Sequence, residues 1–244
     1  MKFTKMHGCG NDFVVIEGPA DLPAARVREL CDRRRGIGAD GVLVIGAEQG
    51  RCWPVTIHNA DGSLGESCGN GARCVARYLL DRHGGTELAL SFPGGDVRAR
   101  RDGSGIAIAL AAPRSPQPIT VDGRRAYRVS LGNPHVVVFV ADPGSADLTA
   151  LATAARDAAG EANVEVARVM APDLIVLRVD ERGVGETLAC GTGACATVAA
   201  AMTEQRMAER VTVRVGGGDL FVRAGASVFE LAGPAEYVFE GSAP

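Results

Sequence analysis

The chain is poor in lysine. Of its 26 basic residues only Lys2 and Lys5 are lysines, and the rest are arginine. A pyridoxal-phosphate enzyme needs a pocket lysine for its Schiff base, so that chemistry is not expected. No apolar run reaches the roughly 18 residues that would span a bilayer, and the opening MKFTKMHGCGNDF has no apolar core of a secretory signal. Basic stripes are absent and the net charge is −3, which argues against a nucleic-acid binder. The run Arg33-Arg34-Arg35 reads as a solvated helix end. There is no C-x-x-C motif. Seven cysteines, an odd number lying beside glycines, exclude a disulfide framework and suit free thiols, so the expected compartment is the cytoplasm. The Cys68–Cys74 and Cys190–Cys195 spacings do not match zinc-site pairs, and His7, His58, His83 and His135 are scattered. What remains, 46% apolar and 23% charged over 244 residues, is an ordinary globular composition large enough to bury a core.

The chain does contain a repeat. S-C-G-N-G-A-R-C at Ser67 to Cys74 returns as A-C-G-T-G-A-C-A at Ala189 to Ala196, so Cys68 and Cys190 stand 122 positions apart. At that offset Gly10-Asn11-Asp12-Phe13-Val14-Val15 falls on Gly132-Asn133-Pro134-His135-Val136-Val137. Gly38 to Val42 falls on Gly160 to Val164, and Val55 to Asn59 on Leu177 to Glu181. Gly94-Gly95-Asp96 matches Gly217-Gly218-Asp219 one residue later. Matches in one order and one register mark a duplicated unit. Each copy predicts strands (Asp12 to Glu17 and Val55 to Asn59; His135 to Val140 and Ile175 to Val179), then an apolar helix after the cysteine motif. More strands follow: Leu88 to Phe92 and Val97 to Arg101, then Val211 to Val215 and Leu220 to Arg223. Helices over Pro23 to Arg33 and Ala146 to Ala158 read as peripheral. The expected fold is α/β (α+β), two pseudo-symmetric domains, each a mostly antiparallel or mixed sheet wrapped around a central helix. A Pro-rich seam at 113–118 suggests a boundary there. Gly216-Gly217-Gly218 reads as a turn.

A thiol at a glycine-rich helix start is activated by the helix field, and the adjacent N–H groups can hold a carboxylate. Two such thiols suit removal of a proton from a stereocentre and its return to the opposite face, which is racemisation or epimerisation by general acid–base catalysis. The N–H cradles would stabilise the enolate-like carboxylate, and no metal or cofactor is required. Cys9, Cys31, Cys52, Cys74 and Cys195 read as packing residues. A thiol redox protein and a binding protein without chemistry remain as other classes. The first lacks its usual motif, and the second has no use for two in-register thiols.

The stretches FTKMHGCGNDFVVIE, GIGADGVL, NADGS, SCGNGARC, GNPH and ERGVGETLACGTGACA resemble the diaminopimelate epimerases over essentially the whole chain. The resemblance implies a cofactor-independent isomerase that interconverts LL- and meso-2,6-diaminoheptanedioate. It implies an N-terminal domain of 1–113 plus 234–244, a C-terminal domain of 114–233, and a homodimer. It casts Cys68 as proton donor and Cys190 as proton acceptor in one direction, with His135 and Glu181 tuning their pKa values. Gly69, Asn70, Gly191 and Thr192 would cradle the reacting carboxylate, Glu181 would accept from the amino group, and Arg182 would pair with the distal carboxylate. Asn11, Asn59, Asn133 and Asn163 would complete the substrate site. Gly41 stands where some members carry glutamine, Cys9 where an apolar residue is common, and Ser67 where methionine is common. Phe239 takes the place of a dimer-forming tyrosine. Proline racemases and hydroxyproline epimerases form the alternative; they typically carry histidine where this chain has Asn70, and they lack the E-R-G-V-G run.

Overall fold

The computed structural model describes residues 1–18, 22–50, 52–66 and 68–244; Ser67 lies outside them. The chain divides into two compact units, 1–108 with 233–244, and 109–232. The first unit contains β1 (Lys2–Gly8), β2 (Asn11–Glu17), α1 (Ala24–Cys31), β3 (Gly41–Ile45), β4 (Cys52–Asn59), β5 (Leu64–Gly65), α2 (Gly69–His83), β6 (Glu87–Phe92), β7 (Gly95–Asp102) and most of β8 (Gly105–Ala111). The second contains β9 (Gln117–Val121), β10 (Arg124–Ser130), β11 (Pro134–Phe139), α3 (Leu148–Ala159), β12 (Asn163–Ala171), β13 (Leu174–Glu181), β14 (Gly185–Thr187), α4 (Gly191–Glu204), β15 (Arg210–Val215), β16 (Gly218–Ala224) and β17 (Val228–Gly233). The chain then returns to the first unit as β18 (Glu236–Ser242), which pairs antiparallel with β1. The Pro-rich seam lies in the second unit and runs into β9. No helix among the described residues is long and apolar enough to cross a membrane.

The duplication is written into the strand ladders. In the first unit β2 pairs parallel with β3, Phe13 facing Gly41; in the second β11 pairs parallel with β12, His135 facing Asn163. Val42 faces His58 across β3–β4, and Val164 faces Asp180 across β12–β13. Ile57 faces Gly65, and Val179 faces Thr187. Every one of these partners is displaced by 122 positions between copies. Because a slip of one residue would turn each side chain to the other face, the shared register means shared inside and outside.

The registers part at the first hairpin. Cys9 and Gly10, with φ of 53° and 81°, make a two-residue turn from Gly8 to Asn11. Positive φ at both central residues lets such a turn follow the twist of its strands. In the second unit three residues, Leu131, Gly132 and Asn133, join Ser130 to Pro134.

Helix α4 is apolar nearly all round, as a helix wrapped by sheet must be, whereas α2 buries a broad apolar face and keeps Arg77, Asp81 and Arg82 on its polar side. Ala72, Cys74, Val75, Ala76, Leu79 and Leu80 of α2 are buried, and α4 is buried from Gly193 to Ala201. The peripheral helices α1 and α3 cover the opposite sheet faces, α1 with Val27 and Leu30 against Val42 and Val44, α3 with Ala152 and Ala155 against Val136 and Val164. The arginine run is exposed just past the end of α1 at Cys31, as expected of a solvated helix end. Arg33 also reaches Asp12 and Asp40 at 2.7 Å each, two carboxylates that the linear sequence separates. Gly216 and Gly217 form the β15–β16 turn.

Candidate active site

Cys68 and Cys190 are the N-cap residues of α2 and α4. Both have extended backbone, and each sulfur accepts from the N–H three residues on, Gly71 and Gly193 respectively, at 3.4 Å. Neither helix has an acidic residue in its first turn. The thiols therefore occupy the place where Ser, Thr or Asp usually caps a helix, and where negative charge is favoured.

Around Cys68 the first unit builds an oriented amide chain. Asn11 Oδ1 faces the Cys68 sulfur at 3.8 Å and accepts from Asn70 Nδ2 at 3.1 Å. Asn70 Oδ1 accepts from Arg73 at 2.8 Å, and Asn11 Nδ2 donates to Asp40 at 2.8 Å. A guanidinium only donates and a carboxylate only accepts, so the two ends agree on how both amides point. Asp40 also accepts from Arg33, and Asp12 from Arg33 and buried Lys5. Burial works against ionisation of Asp12, but hydrogen bonds from Arg33 and Lys5 outweigh it and hold the carboxyl well below its usual range. Asn59 turns its Nδ2 to Ser63 Oγ at 2.9 Å. Gly69 opens α2.

Around Cys190 the second unit places charges. Glu181, at the end of β13, accepts from Thr187 Oγ1 at 2.6 Å, and its carboxylate lies near enough to Cys190 for each group to perturb the other's ionisation. Burial raises the Glu181 pKa, and the neighbouring Glu165 charge adds to the rise. The helix-start argument alone predicts a lowered pKa for Cys190. The structure overturns that: burial, then the Glu181 and Glu165 charges, push it well above its ordinary value, against the pull of Thr192 and Gly193. Thr192 Oγ1 lies 3.4 Å from the sulfur and accepts from Asn133 Nδ2 at 3.3 Å. Asn133 Oδ1 faces His135 Nε2 at 3.1 Å, and His135 Nδ1 meets Glu165 at 2.7 Å. Asn163 Oδ1 accepts from the Arg182 backbone N–H at 2.9 Å, which anchors the loop that presents the exposed Arg182 side chain. Gly191 opens α4.

Within the first unit, then, Cys68, Gly69, Asn70 and Asn11 come together, with Asn59 held at the β4–β5 turn. Within the second, Cys190, Gly191, Thr192, Asn133, His135 and Glu181 form one cluster, with Asn163 beneath Arg182. Sequence reasoning passed over Asp40, Arg73 and Glu165. Comparison of the copies carried the signal for Glu165, which stands where the first copy has Leu43.

The family model described as diaminopimelate epimerase matches residues 3–109 and 127–236. A diaminopimelate epimerase of Moorella thermoacetica is 39% identical, covering 100% of this chain and 99% of its own. That of Xanthomonas axonopodis pv. citri is also 39% identical, over 99% of this chain and 95% of its own. The fold is shared with a phenazine biosynthesis protein of the PhzF family from Bacillus anthracis, with a TM-score of 0.77 at 13% identity over 99% and 98% of the two chains. It is shared too with a hydroxyproline epimerase from Agrobacterium vitis, at 0.66 and 16% over 99% and 91%. Matched along both units and nearly end to end by its curated relatives, the chain belongs to the diaminopimelate epimerase family.

Proposed function

We propose that this protein interconverts LL- and meso-2,6-diaminoheptanedioate without a cofactor, in the cytoplasm, supplying lysine and peptidoglycan synthesis. The observation that carries the reading is the pair of in-register thiols, each capping a buried helix start. One thiol removes the α-proton and the other returns a proton to the opposite face. Cys68 is the donor and Cys190 the acceptor in one direction, and the roles exchange in the other. The environments support unlike roles. Cys68 faces an amide oxygen, which suits a thiol donor, whereas Cys190 lies in the field of the Glu181 carboxylate, a group able to take its proton.

The N–H groups at Gly69-Asn70 and Gly191-Thr192 hold the reacting carboxylate as charge develops on it. Glu181 accepts from the amino group, and Arg182 grips the distal carboxylate with its planar fork. His135 and Glu181 tune the thiols, and Asn11, Asn59, Asn133 and Asn163 complete the substrate contacts. The working form is a homodimer using the exposed face around Phe239.

The test is proton exchange followed by NMR. Reduced protein in D₂O with LL-diaminopimelate should yield meso product carrying α-deuterium. Exchange with L-proline in its place would move the protein to the proline racemase class. Exchange of neither would overturn the epimerase reading.

A further inference from the structure

The second unit buries His135, which tunes the thiols, against Glu165, to which the reaction as described gives no role. His135 and Glu165 are 1% and 0% exposed. Burying charged groups is costly unless something repays it, and replacing such a pair by apolar residues is often neutral or stabilising. The first copy shows that replacement already made. At the 122-residue offset His135 corresponds to Phe13 and Glu165 to Leu43, both buried and apolar. Leu43 packs beneath Gly71 of α2, its Cδ2 3.1 Å from where a Cβ would stand. Glu165 occupies the same place beneath Gly193 of α4, where a Cβ would collide with Oε1. The fold accepts Phe and Leu here. Packing therefore does not explain His and Glu, least of all with Glu165 Oε2 making no hydrogen bond among the described residues.

We propose that Glu165 is a positioning residue for Cys190, acting through His135, Asn133 and Thr192 to set the direction of the hydrogen bonds that reach the sulfur. Both ring nitrogens of His135 face oxygens, so Nε2 carries a hydrogen and the Nδ1–Oε1 contact holds another. Nε2–H then donates to Asn133 Oδ1, which turns Asn133 Nδ2 towards Thr192 Oγ1. With that oxygen accepting, the Thr192 hydroxyl hydrogen is left for the Cys190 sulfur, 3.4 Å away. The Gly193 N–H arrives from the helix. Both donors favour the thiolate at a site where burial opposes it. The titratable groups around this start of α4 are His135 on β11, Glu165 on β12 and Glu181 on β13. Tyr127 of β10 bonds Glu204 at the opposite end of α4, and Asp219 of β16 pairs with Arg214 of β15.

This inference rests on the epimerase reading for its kinetics only, and two of its readouts need no substrate. Glu165→Gln keeps the shape but lets the residue donate as well as accept, so the chain loses its fixed direction. In Glu165→Gln kcat should fall about tenfold or more with KM within about threefold, and the acid limb of the kcat/KM profile should move to higher pH. Iodoacetamide alkylation of Cys190, followed at the peptide level, should move its midpoint the same way, and Thr192→Val should reproduce that shift. A midpoint that stays in place or moves to lower pH would overturn the proposal, the latter by showing Glu165 to act as a bare opposing charge. The double variant His135→Phe/Glu165→Leu copies the first unit and should melt at or above the wild-type temperature. A fall of more than about 5 °C would assign the pair to structure instead. If the wild type fails to epimerise but the alkylation shift appears, the epimerase reading falls and the positioning role stands.

Discussion

Cys68 and Cys190 occupy equivalent backbone positions in unlike surroundings, and the unlike roles proposed for them rest on that difference. Asn59 and Glu181 are counterparts at the 122-residue offset, so the first copy carries a neutral amide where the second carries a carboxylate. Exchanging either thiol for serine should slow turnover about 10²-fold or more, because a hydroxyl is a far weaker acid at the same distance. Steady-state rates within about twofold of wild type would exclude the two-thiol scheme. Arg182→Ala should raise KM for diaminopimelate roughly 10- to 100-fold, the worth of a charge-assisted pair. Arg182→Lys should restore only part, lacking the planar fork. These residues were legible because each belongs to a local motif. Asp40 was not, since its link to Asn11 depends on a contact across 29 positions of sequence.

At the scale of the element, the two central helices could be read from their unbroken apolar faces, whereas several strands could not. Strand β3, Gly-Val-Leu-Val-Ile, is buried on both faces and shows no alternation. Strand β12 opens Asn-Val-Glu-Val, a pattern that ordinarily sends the glutamate to water. Here α3 covers the valine face, leaving Glu165 on the face against α4. A second layer over the sheet is information that the strand's own sequence does not carry. The helix starts make a matched comparison. Gly71→Ala would press on the movable end of Leu43, while Gly193→Ala would drive a methyl into a carboxylate held by His135. Urea unfolding should show Gly193→Ala losing roughly 1–3 kcal/mol and Gly71→Ala distinctly less.

For the molecule as a whole, Asp12 and Lys5 tie the first hairpin to the turn at Gly38. Asp12 has a depressed pKa, so its contribution to stability is complete above the ordinary carboxylate value of 3.8 and is lost as pH falls towards the folded value. Unfolding midpoints between pH 5 and pH 2 should therefore fall less steeply in Asp12→Asn, which should itself lose roughly 3–5 kcal/mol at neutral pH. Phe239, 47% exposed and edge-on to Phe3 at 5.8 Å, tests assembly. On the proposed homodimer, sedimentation should show Phe239→Glu shifted towards monomer, and a wild type that sediments as a monomer would overturn the dimer itself. The duplication was legible because an offset of 122, with one residue inserted before Gly217, aligns the two copies, but nothing in the local sequence marked Glu236–Ser242 as the partner of Lys2–Gly8. That pairing reverses the order of birth on the ribosome. The first unit, although made first, keeps an open strand edge until its last strand has been translated, whereas the second is one continuous stretch, 109–232. At about 5–20 residues per second, the half made first waits many seconds for its seal. The half made later can finish folding first, and the nascent β1 edge is where a chaperone, or a neighbouring chain, would find its opening.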